Sequence, residues 1–438
     1  MNPLKIFCFV ALLVAAASAL PKRGNNRNNA ASNSLKPTDW LSVSELQSMQ
    51  PVEDLALQKL ENLSVEEGQQ EIQKNYHLSQ INHALQPSFV PSPSNVPVVL
   101  MKPNGQPERT NLNNLAEAAK QQRNFGNQEV TIFITGLPQT SPAVAKANKK
   151  LVQAYMQRYY GQQQPIDINS KEYDYGSING NQISSSSEED NDSSKNPRPT
   201  RGDLVIINLG ATLTDMKRYA LLDVDETGKM IGKVIVELTN EAGVPQEIIH
   251  IVAQGIAAQV AGPAAREYKR LTGQQIRRIT ALDPSKIYAK NNEMITGLAR
   301  GDADFVDAIH TSTCGMGTHE RVGDVDFYVN GPGSIAPGAN NVVEASMRAT
   351  RYFAETVRPG NENNFPALAA NSLSQYENNE GTGNRAYMGI DTNFDLEGDY
   401  VLKANAKSPF GQRSPAQQQN AYHRQHNTWK NGNPMNMN

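Results

Sequence analysis

Apolar residues along this chain follow two periods. Short β-branched and aliphatic runs at 130–135, 204–209, 248–253, 278–283 and 305–311 have the length and composition of buried strands. Between them, residues 141–159, 226–241 and 255–271 place apolar side chains at helical spacing. Strands alternating with helices predict a mostly parallel sheet with helices on both faces, an α/β architecture. Upstream, residues 40–85 read as helical. Leu55, Leu60 and Leu63 form a stripe there, and Ser42…Glu45 and Ser64…Glu67 match the capping box. Pro87, Pro91, Pro93 and Pro97 then predict an extended connection. Residues 161–200, rich in Gln, Asn, Ser and acids, and the tail beyond Ser414 have no apolar period. The predicted organisation is a leader at 1–19, an extension at 20–94, a folded domain at 95–411 with an acidic insert at 161–200, and a polar tail at 412–438.

Composition narrows the partner classes. A net charge of −3 over 438 residues leaves no basic footprint for nucleic acid. Residues 1–19 combine Lys5, an apolar run from Phe7 and a small-x-small site at Ala17-Ser18-Ala19, the layout of a secretory signal peptide. That run is too short to span a bilayer and no later run is longer, so an integral membrane protein is not expected. Secretion usually brings disulfides, yet the only cysteines are Cys8 and Cys314. Cleavage after Ala19 would leave Cys314 alone, either free or paired between chains.

The stretch from His250 to Gly262 has the layout of a nucleophile elbow: a strand, a tight turn and a helix of small residues. Its central pentapeptide reads Ala253-Gln254-Gly255-Ile256-Ala257, so the small flanking residues are present and the nucleophile position holds glycine. Here the sequence resembles the animal lipase family that includes pancreatic and lipoprotein lipases. Ile279-Thr-Ala-Leu-Asp283-Pro-Ser, the block from Asp302 to Thr311 and the block from Gly323 to Pro332 support the resemblance, which runs from about Asn95 to Gly411. It implies an α/β-hydrolase fold, with Asp283 at the triad acid position. Matching Arg348-Ala-Thr-Arg-Tyr352-Phe353 to the family's histidine block places Ser346 at the general-base position.

The departures from the family decide the expected chemistry. Glycine cannot form an acyl-enzyme, and a serine cannot take a proton from another hydroxyl near neutral pH. Losing two triad members costs on the order of 10⁶ in rate in other serine hydrolases, so no enzyme is expected. Backbone donors at Leu137 and Ile256 occupy the oxyanion positions, with no intermediate to stabilise. Between Gly331 and Ser346 the chain is too short for the family's disulfide-closed lid. Met294, Gly297 and Ala299 stand where that family binds calcium and only Asp302 keeps a carboxylate, so no metal or other cofactor is expected. Of the histidines, His250 and His310 lie on predicted core strands as structural residues, His319 lies in a loop, and none has metal-ligand spacing.

A secreted lipase scaffold without its triad or lid resembles one group closely, the yolk proteins of higher flies, which are small vitellogenins related to lipases. The matching segments include Leu151 to Tyr159, Asp283 to Ile287, Thr296 to Ala303, Ala349 to Glu355 and Lys407 to Gly411, together with the acidic insert. The resemblance implies a nutrient reserve secreted into haemolymph, taken up through an oocyte endocytic yolk receptor and stored in yolk granules. It also implies homo- or hetero-oligomers with other yolk proteins. A carrier using the vacated cleft for a lipid or an ecdysteroid conjugate is the alternative expectation, and a residual esterase a third. In the insert, Tyr173 and Tyr175 beside Glu172 and Asp174 are sulfation candidates. Ser184, Ser185, Ser186 and Ser187 before Glu188-Glu189-Asp190 are phosphorylation candidates. Asn62 and Asn191 fit the glycosylation pattern. Two Arg-Gly-Asp tripeptides, at 201–203 and 300–302, read as turns feeding strands rather than as adhesion sites.

Overall fold

The computed structural model describes residues 56–82, 89–161, 201–286, 297–313 and 315–412. Helices α1 (Leu57–Glu61) and α2 (Val65–Asn82) open it. The predicted capping box starts α2: Glu67 N donates to Ser64 Oγ at 3.3 Å, and Ser64 N donates to the Glu67 carboxylate at 2.9 Å. A hairpin of β1 (Pro97–Met101) and β2 (Pro107–Asn111) follows, then α3 (Leu115–Gln121), β3 (Glu129–Thr135) and α4 (Pro142–Tyr160). After the insert come β4 (Gly202–Asn208), α5 (Met216–Ala220), α6 (Val224–Ala242), β5 (Ile249–Gln254), α7 (Ile256–Thr272), β6 (Arg278–Leu282), β7 (Phe305–His310) and β8 (Val325–Val329). The chain ends with α8 (Val342–Val357), β9 (Pro366–Ala369), α9 (Leu373–Asn378), β10 (Arg385–Tyr387) and β11 (Gly398–Leu402).

The described strands form one sheet in the order β10-β9-β11-β8-β7-β6-β5-β3-β4-β1-β2. From β4 across to β11 every neighbouring pair is parallel, and antiparallel pairs flank this block at both edges. This is an α/β-hydrolase fold. Pro97, expected in an extended connection, instead opens β1, the position where a strand tolerates a residue without a donor. Both faces are covered: Ile132 and Ile134 join one apolar cluster while Phe133 between them joins the other. That double burial explains why the inner strands read as continuous apolar runs.

The sheet also fixes where a site belongs. From β3 the chain adds β4 on one side and then β5 on the other, so the carboxyl ends of β3 and β5 form a topological switch point, where open α/β sheets bind ligands. Helix α7 is held close to α6 there. A Cβ on Gly228 would lie 2.5 Å from Pro263 Cβ, and one on Gly232 2.4 Å from the Ala264 carbonyl oxygen. The N-terminal extension docks on the same body: Leu57, Leu60 and Ile72 are buried in its core. The Glu61 carboxylate caps the start of α4 by accepting from Ser141 Oγ at 2.5 Å and Ala143 N at 3.2 Å.

Candidate functional site

Gly255 lies between β5 and α7 with φ 61° and ψ −123°, a region that an L side chain occupies only under strain. Its amide donates to the Leu282 carbonyl at 3.0 Å and its carbonyl accepts from Ser285 N at 3.2 Å, which locks the turn onto the end of β6. Gly136, after β3, runs so close to this turn that a Cβ there would lie 1.9 Å from the Gln254 carbonyl oxygen and 2.6 Å from Ala257 N. The next residue, Leu137, reaches back over the elbow: its Cγ is 3.7 Å from where a Cβ on Gly255 would stand. Leu137 and Ile256, the expected oxyanion positions, therefore flank Gly255. Ile256 opens α7, where a helix leaves its first amides unpaired.

Asp283 directly follows β6 with φ 50° and is fully buried. Its Oδ1 accepts from Thr311 N and Ser312 N at 2.9 Å each, and its Oδ2 from Ser312 Oγ at 2.5 Å. Burial raises its carboxyl above the ordinary carboxylate range, against the opposing pull of these donors. Ser346 is buried in the second turn of α8, and its carbonyl accepts from Thr311 Oγ1 at 3.4 Å. Its hydroxyl is close enough to favour the charged form of Asp283, yet it makes no well-formed hydrogen bond among the described residues. The acid position is thus saturated by β7-end donors, with Ser346 standing beside it.

Two side chains that sequence reasoning missed fill the space at the elbow. Tyr219, from the short helix α5, and Ser285 join their hydroxyls in a buried hydrogen bond. Ser285 Oγ and Tyr219 Oη stand 3.5 and 3.7 Å from the position of a Gly255 Cβ. Ser285 is visible in the Asp283-Pro-Ser motif, whereas no spacing signal marks Tyr219. Ser285 is anchored in turn: its carbonyl accepts from Gln259 Nε2 at 2.6 Å, and Gln259 Oε1 accepts from Leu298 N at 3.0 Å. Gln254, buried just before the elbow, donates to Asn148 Oδ1 at 2.9 Å and Thr350 Oγ1 at 2.7 Å, tying β5 to α4 and α8.

At the expected calcium position the structure holds a guanidinium. Arg266 Nη1, projecting from α7, donates to both Asp302 carboxylate oxygens at 2.8 Å and to the Gly297 carbonyl at 3.1 Å. One cationic side chain thus meets both the Asp302 carboxylate and the Gly297 carbonyl. Met294 lies outside the described residues. His310 is held by the Thr318 carbonyl at 3.0 Å and Asp326 at 2.8 Å, and His250 by Thr280 Oγ1 at 2.8 Å, with burial lowering the His250 pKa. Both are structural histidines on core strands. Among the described residues, no group of three His, Cys, Asp or Glu side chains is arranged for a metal.

A family model described as Lipase matches residues 122–410. Vitellogenin-1 of Ceratitis capitata is 74% identical over 433 residues, covering 99% of either chain. The chain belongs to the lipase-related vitellogenins of flies. Vitellogenin-3 of Drosophila melanogaster is 53% identical over 97% of this chain and 99% of its own. Among lipase-family enzymes, Phospholipase A1 1 of the wasp Dolichovespula maculata is 31% identical, but over only 30% of this chain and 42% of its own. The vitellogenin likeness thus spans 97–99% of the sequence, whereas the likeness to this phospholipase covers 30% of it.

The remaining expected positions divide. Tyr173, Tyr175, Ser184, Ser185, Ser186, Ser187, Asn191, Cys314 and the leader lie outside the described residues. Asn62 is exposed and terminates α1, and Ser64 of its sequon is used in the capping box. Both Arg-Gly-Asp tripeptides are structurally occupied. Gly202 and Asp203 belong to β4, with Asp203 accepting from Gly126 N at 2.9 Å. Arg300 pairs with Asp324 at 2.9 Å, while Asp302 holds Arg266. Among the described residues no helix is long and apolar enough to cross a membrane.

Proposed function

We propose that this protein is a secreted yolk storage protein, taken up by oocytes as a nutrient reserve for the embryo, and that it has no hydrolase activity. The observation that carries the reading is the full-length likeness to fly vitellogenins, joined to glycine at the elbow and serine at the base position. A lipase scaffold needs a nucleophile activated by an adjacent base. Here the elbow's turn is present, while Tyr219 and Ser285 fill the space beside it and Asp283 serves as a buried hydrogen-bond acceptor. A storage role asks for abundance, solubility and later digestion, none of which uses the elbow.

The reading is tested in eggs. Immunoblots of staged embryos should show the intact chain abundant at laying and consumed as development proceeds. Constant levels through hatching would contradict storage. A short-chain ester assay on the purified protein tests the silent elbow, and turnover removed by Ser285→Ala would establish a residual esterase instead.

A further inference from the structure

Away from the elbow, α4, α8 and the segment that closes the described chain line a solvent-open cleft with a volume of about 780 Å³. Lys150 from α4, Arg351 from α8 and Arg358, the extended residue that follows α8, line it, with Glu355 as the lining carboxylate. Glu355 is already committed: its two oxygens accept from Phe410 N at 2.8 Å and Gly411 N at 2.9 Å, which fixes the far wall. Arg348, the neighbouring cation, is committed as well, donating to the Ala406 and Gly338 carbonyls at 3.1 and 2.6 Å. Lys150, Arg351 and Arg358 make no ion pair within 4.0 Å among the described residues. The buried Arg351 Nε also has no hydrogen-bond partner there. Burial lowers the Lys150 pKa, and the charges of Arg358, Arg351 and Lys146 lower it further. Arg351 shifts the same way, by burial and then Arg348, with Glu344 opposing.

With Glu355 the lining carboxylate and its oxygens already engaged by backbone amides, three neighbouring cations leave the cleft an excess of positive charge, and an anion entering the space would relieve it. Guanidinium forks match the oxygens of a tetrahedral oxyanion, and a lysine adds a point charge. Arg351 lies against the Phe410 ring at 4.7 Å, and Ala354 and Pro366 add apolar wall, so the space also suits an organic group attached to the anion. The geometry points to a binding site for a phosphate or sulfate monoester in this cleft, held by Lys150, Arg351 and Arg358. The inference stands apart from the storage reading, because it uses none of the elbow residues.

The test is calorimetric titration of the full chain with inorganic phosphate, phenyl phosphate and a phosphoserine peptide, at constant ionic strength. Saturable one-to-one binding of at least one probe is expected. Lys150→Gln and Arg358→Gln should each weaken it about tenfold, the size expected of one charge-assisted hydrogen bond, while Lys150→Arg retains it. Preference for phenyl phosphate would indicate a small-molecule ester as the source, and preference for the peptide a modified polypeptide. As a readout independent of the variants, sulfate should displace the probe from the unaltered chain better than chloride of equal ionic strength. Absence of binding by all probes, or equal affinity in the Lys150→Gln/Arg358→Gln protein, would overturn the site.

Discussion

Replacing Gly255 by serine restores the atom a lipase needs and should cost stability without giving activity. The cost comes from the backbone, because φ 61° with ψ −123° is strained for any residue with a Cβ. Steric crowding adds little: the nearest atoms to that Cβ would be Ser285 Oγ at 3.5 Å, Leu137 Cγ at 3.7 Å and Tyr219 Oη at 3.7 Å, ordinary contacts. The conformational penalty is therefore about 1–3 kcal/mol. A new hydroxyl beside Ser285 can recover about 0.5–1.5 kcal/mol through a hydrogen bond, whereas Gly255→Ala recovers none. Both variants should melt below the parent, alanine lowest, by roughly 2–4 °C per kcal/mol in a domain this large. Differential scanning calorimetry with a parallel ester assay reads both consequences. An unchanged or higher Tm in both variants would refute the strain argument, and turnover in Gly255→Ser would refute the missing base.

Other perturbations test the surrounding structure. Arg278 Nε contacts Asp307 Oδ1 at 2.8 Å in the core, so Arg278→Met should cost about 3–5 kcal/mol by stranding a buried carboxylate, measured by urea denaturation. Because burial raises the folded-state pKa of Asp283, the native chain binds its proton more readily than the unfolded chain. Stability from this group is then lost as pH rises from the ordinary carboxylate value through the raised one, and Asp283→Asn should flatten that slope in pH-dependent melting curves. Chelators should leave Tm unchanged, since Arg266 already meets Asp302 and the Gly297 carbonyl; a drop in Tm with chelator would reveal a stabilising metal. Tyr219→Phe should lose about 1–3 kcal/mol by leaving Ser285 Oγ buried without its partner, read by the same denaturation assay.

How much the sequence disclosed depended on burial. Strands β3, β5, β6 and β7 are covered on both faces, so their apolar runs announce them. The hairpin β1–β2 escapes such reading because Pro97 and Pro107 open its strands and β2 is only half-buried. The late edge strands β9 and β10 are short, and pattern carries little over so few residues. At the site, Gly255, Asp283 and Ser346 are legible as positions because the motif spacing around them is that of the resembled family. Tyr219 and Arg266 are not. Each reaches its place from a different element, and only the folded chain shows that one fills the elbow space while the other meets Asp302.

A yolk storage protein on a lipase scaffold must be able to enter the oocyte by a specific route. Fluorescently labelled protein injected into vitellogenic females tests it most directly. Saturable accumulation in oocyte yolk granules is expected, competed by unlabelled protein and equally efficient for Gly255→Ser. Exclusion from oocytes, or entry that labelled albumin matches, would contradict it.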